Sequence, residues 1–474
     1  MRESANGAPS GAAPAPTWRT LMFGPSRRAV WTISIGVAIQ AFGWFLVSTI
    51  MPSVVLELGR PEELSWGTTA FLALSVPGGA SAGYLKGRFG ARGVLMAAAS
   101  LVIASNLMGL LSPTMEIFLL SRAIQGLGEG LVLALCYILV SDSLTPREVA
   151  PAFAIVAVVW ALATLLGPWL AGLLTAILSW RLAFTPLLIL AATFLWLVAT
   201  NRHLARPKAA NTGALPLGRL TIIGVAIGAI SFAGATRNYA LAVGLIVISL
   251  GLVAFCFRLD RMSAARLFPT RLLSLRDPST LGVWIIGLMF GAEVAAPLYI
   301  TYFVQVGRGT SVFFAGQFAA ITAFSWSVTS IYISRFDKAA ARSMLVVGPA
   351  LLTIGLAGLM FWNGLPLYIN AFSLIFLGSG FGLSYSFFTE HIIARAPDTE
   401  RDVSAGAIPT LENICSAIGT AFAGLLGNAA GFGATSAADI PARVPMIVFG
   451  VSAAVSLLTL FCALRLYRLV GPRA

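Results

Sequence analysis

The sequence predicts an all-α polytopic membrane fold, two six-helix bundles with two further helices inserted between them, fourteen membrane-spanning helices in all. Three observations predict it. Of 474 residues, 58% are hydrophobic and only 10% are charged, with a mean hydropathy of +0.88; soluble domains carry about 25% charged residues, so this chain lacks the charge to cover a water-facing surface. Its apolar residues fall into runs of about 17–25, the length that crosses a hydrocarbon layer about 30 Å thick. Basic residues gather in alternate loops between those runs, as they do when Lys and Arg are retained on the cytoplasmic side.

Residues 1–28 are rich in Ala, Pro and Gly and lack the apolar centre of a signal peptide, which predicts a disordered cytoplasmic tail. The first bundle, 29–201, holds spans at 29–51, 64–86, 93–111, 116–141, 150–174 and 181–200. A linker, 202–278, carries two weaker spans, 219–235 and 240–257, separated by a turn around Thr236, Arg237 and Asn238, so this pair reads either as two crossings or as one re-entrant hairpin. The second bundle, 279–474, holds spans at 279–304, 311–334, 342–362, 366–389, 403–428 and 443–464.

Charge tests the count independently. With the N-terminus inside, 25 of the 31 Lys and Arg fall in the tail, the C-terminus and the inside loops. Outside loops hold five, Arg60, Arg181, Arg237, Arg308 and Arg443, and Arg122 lies within the fourth span. A miscounted helix in either half would scramble that split, so both termini are expected in the cytoplasm of a multi-pass plasma-membrane protein, in a bacterium the inner membrane. The net charge of +13 is scattered over short loops rather than gathered with aromatic residues on one segment, which argues against a nucleic-acid partner. Cys136, Cys256, Cys415 and Cys462 all sit in apolar runs without metal-ligand spacing, so neither disulfides nor a metal site is expected. No His-Glu-x-x-His, phosphate-binding loop or Gly-x-Ser-x-Gly stands in a supporting context. The expectation is therefore a monomer that is not an enzyme and needs no cofactor, works on a small molecule within the lipid bilayer, and is driven by a gradient.

A faint repeat relates the halves: the segment after the second span reads Gly83-Tyr-Leu-Lys-Gly-Arg-Phe-Gly-Ala-Arg92, and that after the tenth reads Tyr332-Ile-Ser-Arg-Phe-Asp-Lys338. The first of these resembles the signature Gly-x-Leu-x-Asp-Arg-x-Gly-x-Arg/Lys of the major facilitator superfamily, with Gly83, Leu85, Arg88, Gly90 and Arg92 in place. Arg122-Ala-Ile-Gln-Gly-Leu-Gly128 is similar to that family's fourth-helix element, and Gly167-Pro168 with Gly172 resembles its antiporter motif. Trp180-Arg181 before the sixth span, and Ser48-Thr-Ile-Met-Pro52 with Leu58-Gly59 at the end of the first, complete the likeness, which is closest to the fourteen-spanner drug:proton antiporters. Three positions depart from the pattern: Gly87 replaces the acidic residue of the loop signature, Gly43 stands where many such antiporters carry a carboxylate, and Glu129 stands where small residues are usual.

The resemblance implies two halves rocking about a midplane site, and proton-coupled export of amphipathic or drug-like molecules. It assigns gating to Gly83, Arg88, Gly90 and Arg92, and sealing of the outward end to Gly167 and Pro168, where proline should kink the fifth span. A symporter or uniporter for an organic anion or sugar, with Arg122 as an anion clamp, is the alternative within transport, and a non-transporting receptor is the alternative outside it.

The residues themselves point to the same centre. A charged group at bilayer depth costs about 2.5–3.5 kcal/mol on insertion scales, so Arg122, Glu129, Glu293 and Glu412 are expected to face an interior rather than lipid. Arg122 and Glu129 are seven apart, which places them on one helix face about 10.5 Å apart along the axis, with Gln125 between. Glu293 and Glu412, mid-span in the second bundle, are proton-carrier candidates, because a carboxyl group moved between water and a low-dielectric cavity can load and release a proton as access switches. Trp44, Trp160, Trp169, Trp284, Trp326, Tyr299 and Tyr302 are candidate cavity aromatics, Glu390 and His391 are expected at a solvated helix end, and His203 in a basic loop is expected to be inert.

Overall fold

The structure, a computed structural model, describes all residues except 1–17, 202–203, 205–216, 237, 264–265, 267, 273, 275, 334–337, 398–399, 435–438 and 471–474. Most of the expected tail, His203, Arg237 and the middle of the second repeat segment therefore lie outside the described residues. The described end of the tail forms a short helix, α1 (Trp18–Phe23), packed on the next helix.

The first bundle follows as α2 (Arg27–Leu58), α3 (Trp66–Leu110), α4 (Met115–Ser143), α5 (Pro146–Ile177) and α6 (Phe184–Thr200). The insert is α7 (Leu217–Ala235) and α8 (Tyr239–Arg261). The second bundle comprises α9 (Pro278–Glu293), α10 (Ala295–Tyr302), α11 (Val312–Ile333), α12 (Lys338–Leu359), α13 (Leu367–Arg395), α14 (Arg401–Ala429) and α15 (Arg443–Val470). Helix starts are written in the sequence. Thr145 and Glu148 form a reciprocal cap with Pro146 in the first turn of α5, and Asp277 accepts from the Ser279 and Thr280 amides ahead of α9, with Pro278 at its first position.

Among the described residues the expected spans fall on helix apart from a few residues, mostly at their ends, and eleven helical segments are long and apolar enough to cross a membrane. Two boundaries differ from expectation. The connection expected between the spans 64–86 and 93–111 is compressed to Gly90 alone, whose φ of 77° and ψ of 151° join the two helical parts of α3. Leu85, Lys86 and Arg88 favour helix up to that point, and a residue without Cβ is what such a backbone angle requires. The span expected at 279–304 divides at Val294 into α9 and α10 and ends in a π-helical turn, Phe303–Gly307. Pro297 has no amide hydrogen for the carbonyl of Glu293, four residues earlier, which weakens the helix at that step. By contrast α5 continues through Pro168 without a break.

Within the first bundle α3 packs most extensively on α4 and also on α6, while α2 lies against α4, α5 and α6. In the second, α13 packs on α11 and α12, α15 on α9 and α12, and α14 on α9. The bundles meet where α5 crosses α11 and α3 meets α14, and α7 lies against both α3 and α14. Hydrogen bonds join the halves toward the end opposite the chain termini: Gln305 Nε2 donates to Ser53 Oγ at 2.8 Å, Asn428 Nδ2 to the Glu62 carbonyl at 3.0 Å, and Gln317 Nε2 to the Leu165 carbonyl at 3.2 Å. One buried apolar cluster runs across that end, from Ile50, Val54 and Phe118 to Tyr299, Phe303 and Trp362. A separate cluster, with Val37, Leu95 and Leu135, lies in the first bundle and takes in Leu21 of α1 and Leu204 of the linker.

Candidate functional site: a buried polar row beside an inter-bundle cavity

The spacing of three and then four residues in α4 places Arg122, Gln125 and Glu129 in one row along the helix. All three are buried, at 3%, 1% and 1% exposure. The separation between Arg122 and Glu129 is bridged by the amide: Arg122 Nη1 donates to Gln125 Oε1, and Gln125 Nε2 donates to Glu129 Oε1 at 2.8 Å. The guanidinium lies 4.6 Å from the centre of the Phe71 ring of α3, a cation–π contact. That approach depends on Gly126, because a Cβ there would stand 2.0 Å from the Phe71 carbonyl oxygen. Among the described residues, Glu129 Oε2 and Arg122 Nε have no hydrogen-bond partner. The row therefore keeps an unused acceptor at one end and an unused donor at the other.

Arg122 also lines a small cavity between the bundles. Trp44 and Ser48 of α2 and Thr68 of α3 form one side; Val294 and Pro297, at the break between α9 and α10, form the other. The same proline that divides the helix thus presents the second bundle to the guanidinium. Glu293 is the last residue of α9, half-buried, and among the described residues its carboxyl group makes no hydrogen bond or ion pair.

Glu412 of α14, also half-buried, is held separately, accepting from the Tyr385 hydroxyl of α13 at 2.9 Å. Tyr385 belongs to an aromatic group in which Trp326 stacks on Phe381 with centroids 4.7 Å apart and Phe290 meets Tyr385 at 6.1 Å. The structure thus brings Arg122, Gln125 and Glu129 into one network and leaves Glu293 and Glu412 outside it.

The expected gating residues divide likewise. Arg92 Nη2 donates to the Ala199 carbonyl at the end of α6 at 2.5 Å, and Arg88 Nη1 to the Tyr84 hydroxyl at 3.1 Å. Gly83 is helical and open on its Cβ side. In α5, a Cβ on Gly167 would stand 2.7 Å from Phe45 Cβ, and one on Gly316 of α11 would stand 2.8 Å from Pro168 Cβ, so this stretch is wedged between α2 and α11. The carbonyl of Leu165 that takes the Gln317 amide is adjacent to that of Thr164, the one Pro168 deprives of its helical donor.

Of the candidate aromatics, Trp44 lines the cavity, whereas Tyr299 and Tyr302 are buried against Phe432, with centroids 5.3 and 4.9 Å away. Trp169 is exposed on the outer face. Glu390 and His391 lie within the last two turns of α13, which extends to Arg395.

Sequence reasoning missed Glu57, whose carboxylate takes both the Arg181 guanidinium at 2.5 Å and the Trp180 indole at 2.7 Å, fastening the end of α2 to the turn before α6. It also missed the Lys86–Asp142 pair between α3 and α4, the buried Arg219–Asp260 pair of the insert, and Tyr385. A lone acid at a helix end was the available signal for Glu57; the other pairs join residues far apart in the chain.

The Major Facilitator Superfamily description matches residues 33–420. A protein of Mycobacterium tuberculosis described as a probable multidrug-efflux transporter is 28% identical over 427 residues, covering 85% of this chain and 88% of its own. "Multidrug resistance protein 3" of Bacillus subtilis is 25% identical over 370 residues, covering 74% and 70%. Among solved structures, a peptide transporter in complex with sulfate aligns with a TM-score of 0.68 at 16% identity, over 96% of this chain and 98% of that one. A D-xylose–proton symporter aligns with a TM-score of 0.64 at 15% identity, over 90% and 96%. Structural likeness at these identities speaks for the fold alone. With the match extending over most of the sequence, the chain belongs to the major facilitator superfamily.

Proposed function

We propose that the chain is a proton-coupled exporter of small amphipathic or drug-like molecules, working by alternating access between its two bundles, with both termini cytoplasmic and fourteen crossings. The observation that carries this reading is the buried Arg122–Gln125–Glu129 row, set beside a cavity to which both bundles contribute. In the mechanism, Glu129 takes and releases the proton, Gln125 transmits the change of charge to Arg122, and Arg122 meets the substrate at the cavity wall. Protonation removes the acceptor charge that orients Gln125, so the amide and then the guanidinium are free to adopt the arrangement that favours the other access state. Glu293 and Glu412 serve as further loading sites on the second bundle. The multidrug-efflux relatives support the substrate class. The hydrogen bonds joining the halves at the far end of α2 support a conformer closed there.

Reconstituted vesicles test this reading. An imposed pH gradient is expected to drive movement of an amphipathic dye, and Glu129→Gln is expected to abolish the gradient dependence while leaving the protein folded. No gradient-driven movement of any compound in a broad panel, in either orientation, would overturn it.

A second reading, transport of an organic anion, draws on one fact: the cavity is lined by Arg122 and by none of the three glutamates. Competition by small carboxylates, lost in Arg122→Gln, would select it.

A further inference from the structure

We infer that the insert carries a binding site for an anionic phospholipid headgroup, at the end of α8 near the chain termini. The linker that follows α8 is arginine-rich, but its guanidinium groups are not equivalent. Arg266 is committed to Glu400, which also accepts from the Thr270 amide and hydroxyl, and Arg271 reaches Asp277 at 3.9 Å. Arg258 and Arg261 have no such commitment among the described residues, and both are exposed.

Three residues apart, Arg258 and Arg261 are neighbours on one side of the helix. They stand at the foot of a strip on α8 that faces away from the rest of the protein and includes Ile248, 56% exposed, and Phe255, 50% exposed. Beside them opens a shallow recess, walled by Phe257, Phe268, Pro269 and Leu272 and rimmed by Arg261 and Thr270. The acid that also borders this recess, Asp260, is buried and already satisfied: it pairs with Arg219 and accepts from the Phe268 amide at 2.9 Å. The recess therefore presents unneutralised positive charge over apolar walls, at the mouth of a lipid-facing strip. A diester phosphate fits the two guanidinium groups, and its acyl chains fit the strip above. Orientation of the chain by basic loops requires positive charge there but neither an unpaired pair of arginines nor a recess.

The test uses the full-length protein in detergent, titrated with dioleoylphosphatidylglycerol, dioleoylphosphatidylcholine or inorganic phosphate, with bound lipid counted by native mass spectrometry and thermal unfolding followed in parallel. Retention of phosphatidylglycerol in preference to phosphatidylcholine is expected, with affinity about tenfold weaker in Arg258→Gln/Arg261→Gln and unchanged in Arg276→Gln, an exposed arginine that lies outside α8 and its lipid-facing strip. Each single variant is expected to lose part of that preference, which gives the same reading if the double variant does not fold. Equal retention of the two lipids, or a preference that survives in the variants, overturns the inference. Equivalent stabilisation by inorganic phosphate also overturns it, because the site would then serve a soluble anion.

Discussion

Gly43 of α2 and the Glu129 carboxyl group of α4 share one space: a Cβ at position 43 would stand 3.1 Å from Oε1 and 3.4 Å from Oε2. Two departures from the family pattern, a glycine where an acid is common and an acid where a small residue is common, thus meet at one point. Gly43→Ala is expected to push the carboxyl group off Gln125 and lower gradient-driven transport about tenfold, the equivalent of about 1.4 kcal/mol. Moving the acid back across the interface, as Gly43→Asp with Glu129→Gly, is expected to recover transport that Glu129→Gly alone has lost. A folded but inactive exchanged pair would show that the carboxyl group must come from α4.

Arg122 is held by Gln125 and by the Phe71 ring. Arg122→Ala is expected to destabilise the protein by about 3–5 kcal/mol, since it strands buried polar partners. Arg122→Lys keeps the charge but loses the planar contact, and is expected to cost about 1–2 kcal/mol by cation–π arithmetic. Thermal unfolding in detergent measures both; equal losses would mean that shape contributes nothing beyond charge.

Ser53 and Gln305 bind each other across the halves at 2.8 Å. Replacing both by cysteine should allow an oxidant to tie the bundles together at that end. Transport is expected to fall to background on oxidation and to return with reductant, whereas undiminished flux from the cross-linked protein would refute opening there.

Gly90 and Gly83 lie in the same expected motif but in different backbone states. Gly90→Ala meets the positive φ and is expected to destabilise by about 1–2 kcal/mol. Gly83→Ala, in helix with open space around it, is expected to stabilise by about 0.5–1 kcal/mol. If Gly83→Ala nevertheless abolishes transport, the residue acts in a conformer closed at its own end.

Tyr385→Phe removes the hydrogen bond to Glu412 and little else. A buried side-chain hydrogen bond contributes about 0.5–1.5 kcal/mol, and the variant is expected to lose stability within that range at neutral pH. The loss should vanish in a Glu412→Leu background, which offers the hydroxyl no acceptor. Additive losses in that double-mutant cycle would mean the two residues act apart.

Hydropathy and charge alternation made the fold legible, because a bilayer imposes span length and loop sign on any chain that crosses it. The α4 row was legible for a similar reason: it is a matter of spacing on one helix. Gln125 as a bridge required only that its amide lie between two charges. What remained hidden depends on contacts between distant segments. Nothing local announces that Glu57 meets Arg181, or that Tyr385 meets Glu412. The division at Val294 was signalled by Pro297, and the expectation of one span there came from hydropathy, which does not register a missing backbone donor. Pro168 shows the converse, since α5 stays continuous through its proline where it packs against α2 and α11.

The inserted helix α7 rests on α3 from one half and α14 from the other. A strut bolted to both leaves of a hinge cannot stay still when the hinge turns. If the leaves rock, α7 must release or slide along at least one of them in every cycle, so the added pair is a moving part, and the friction it contributes is carried on one flank of the molecule alone.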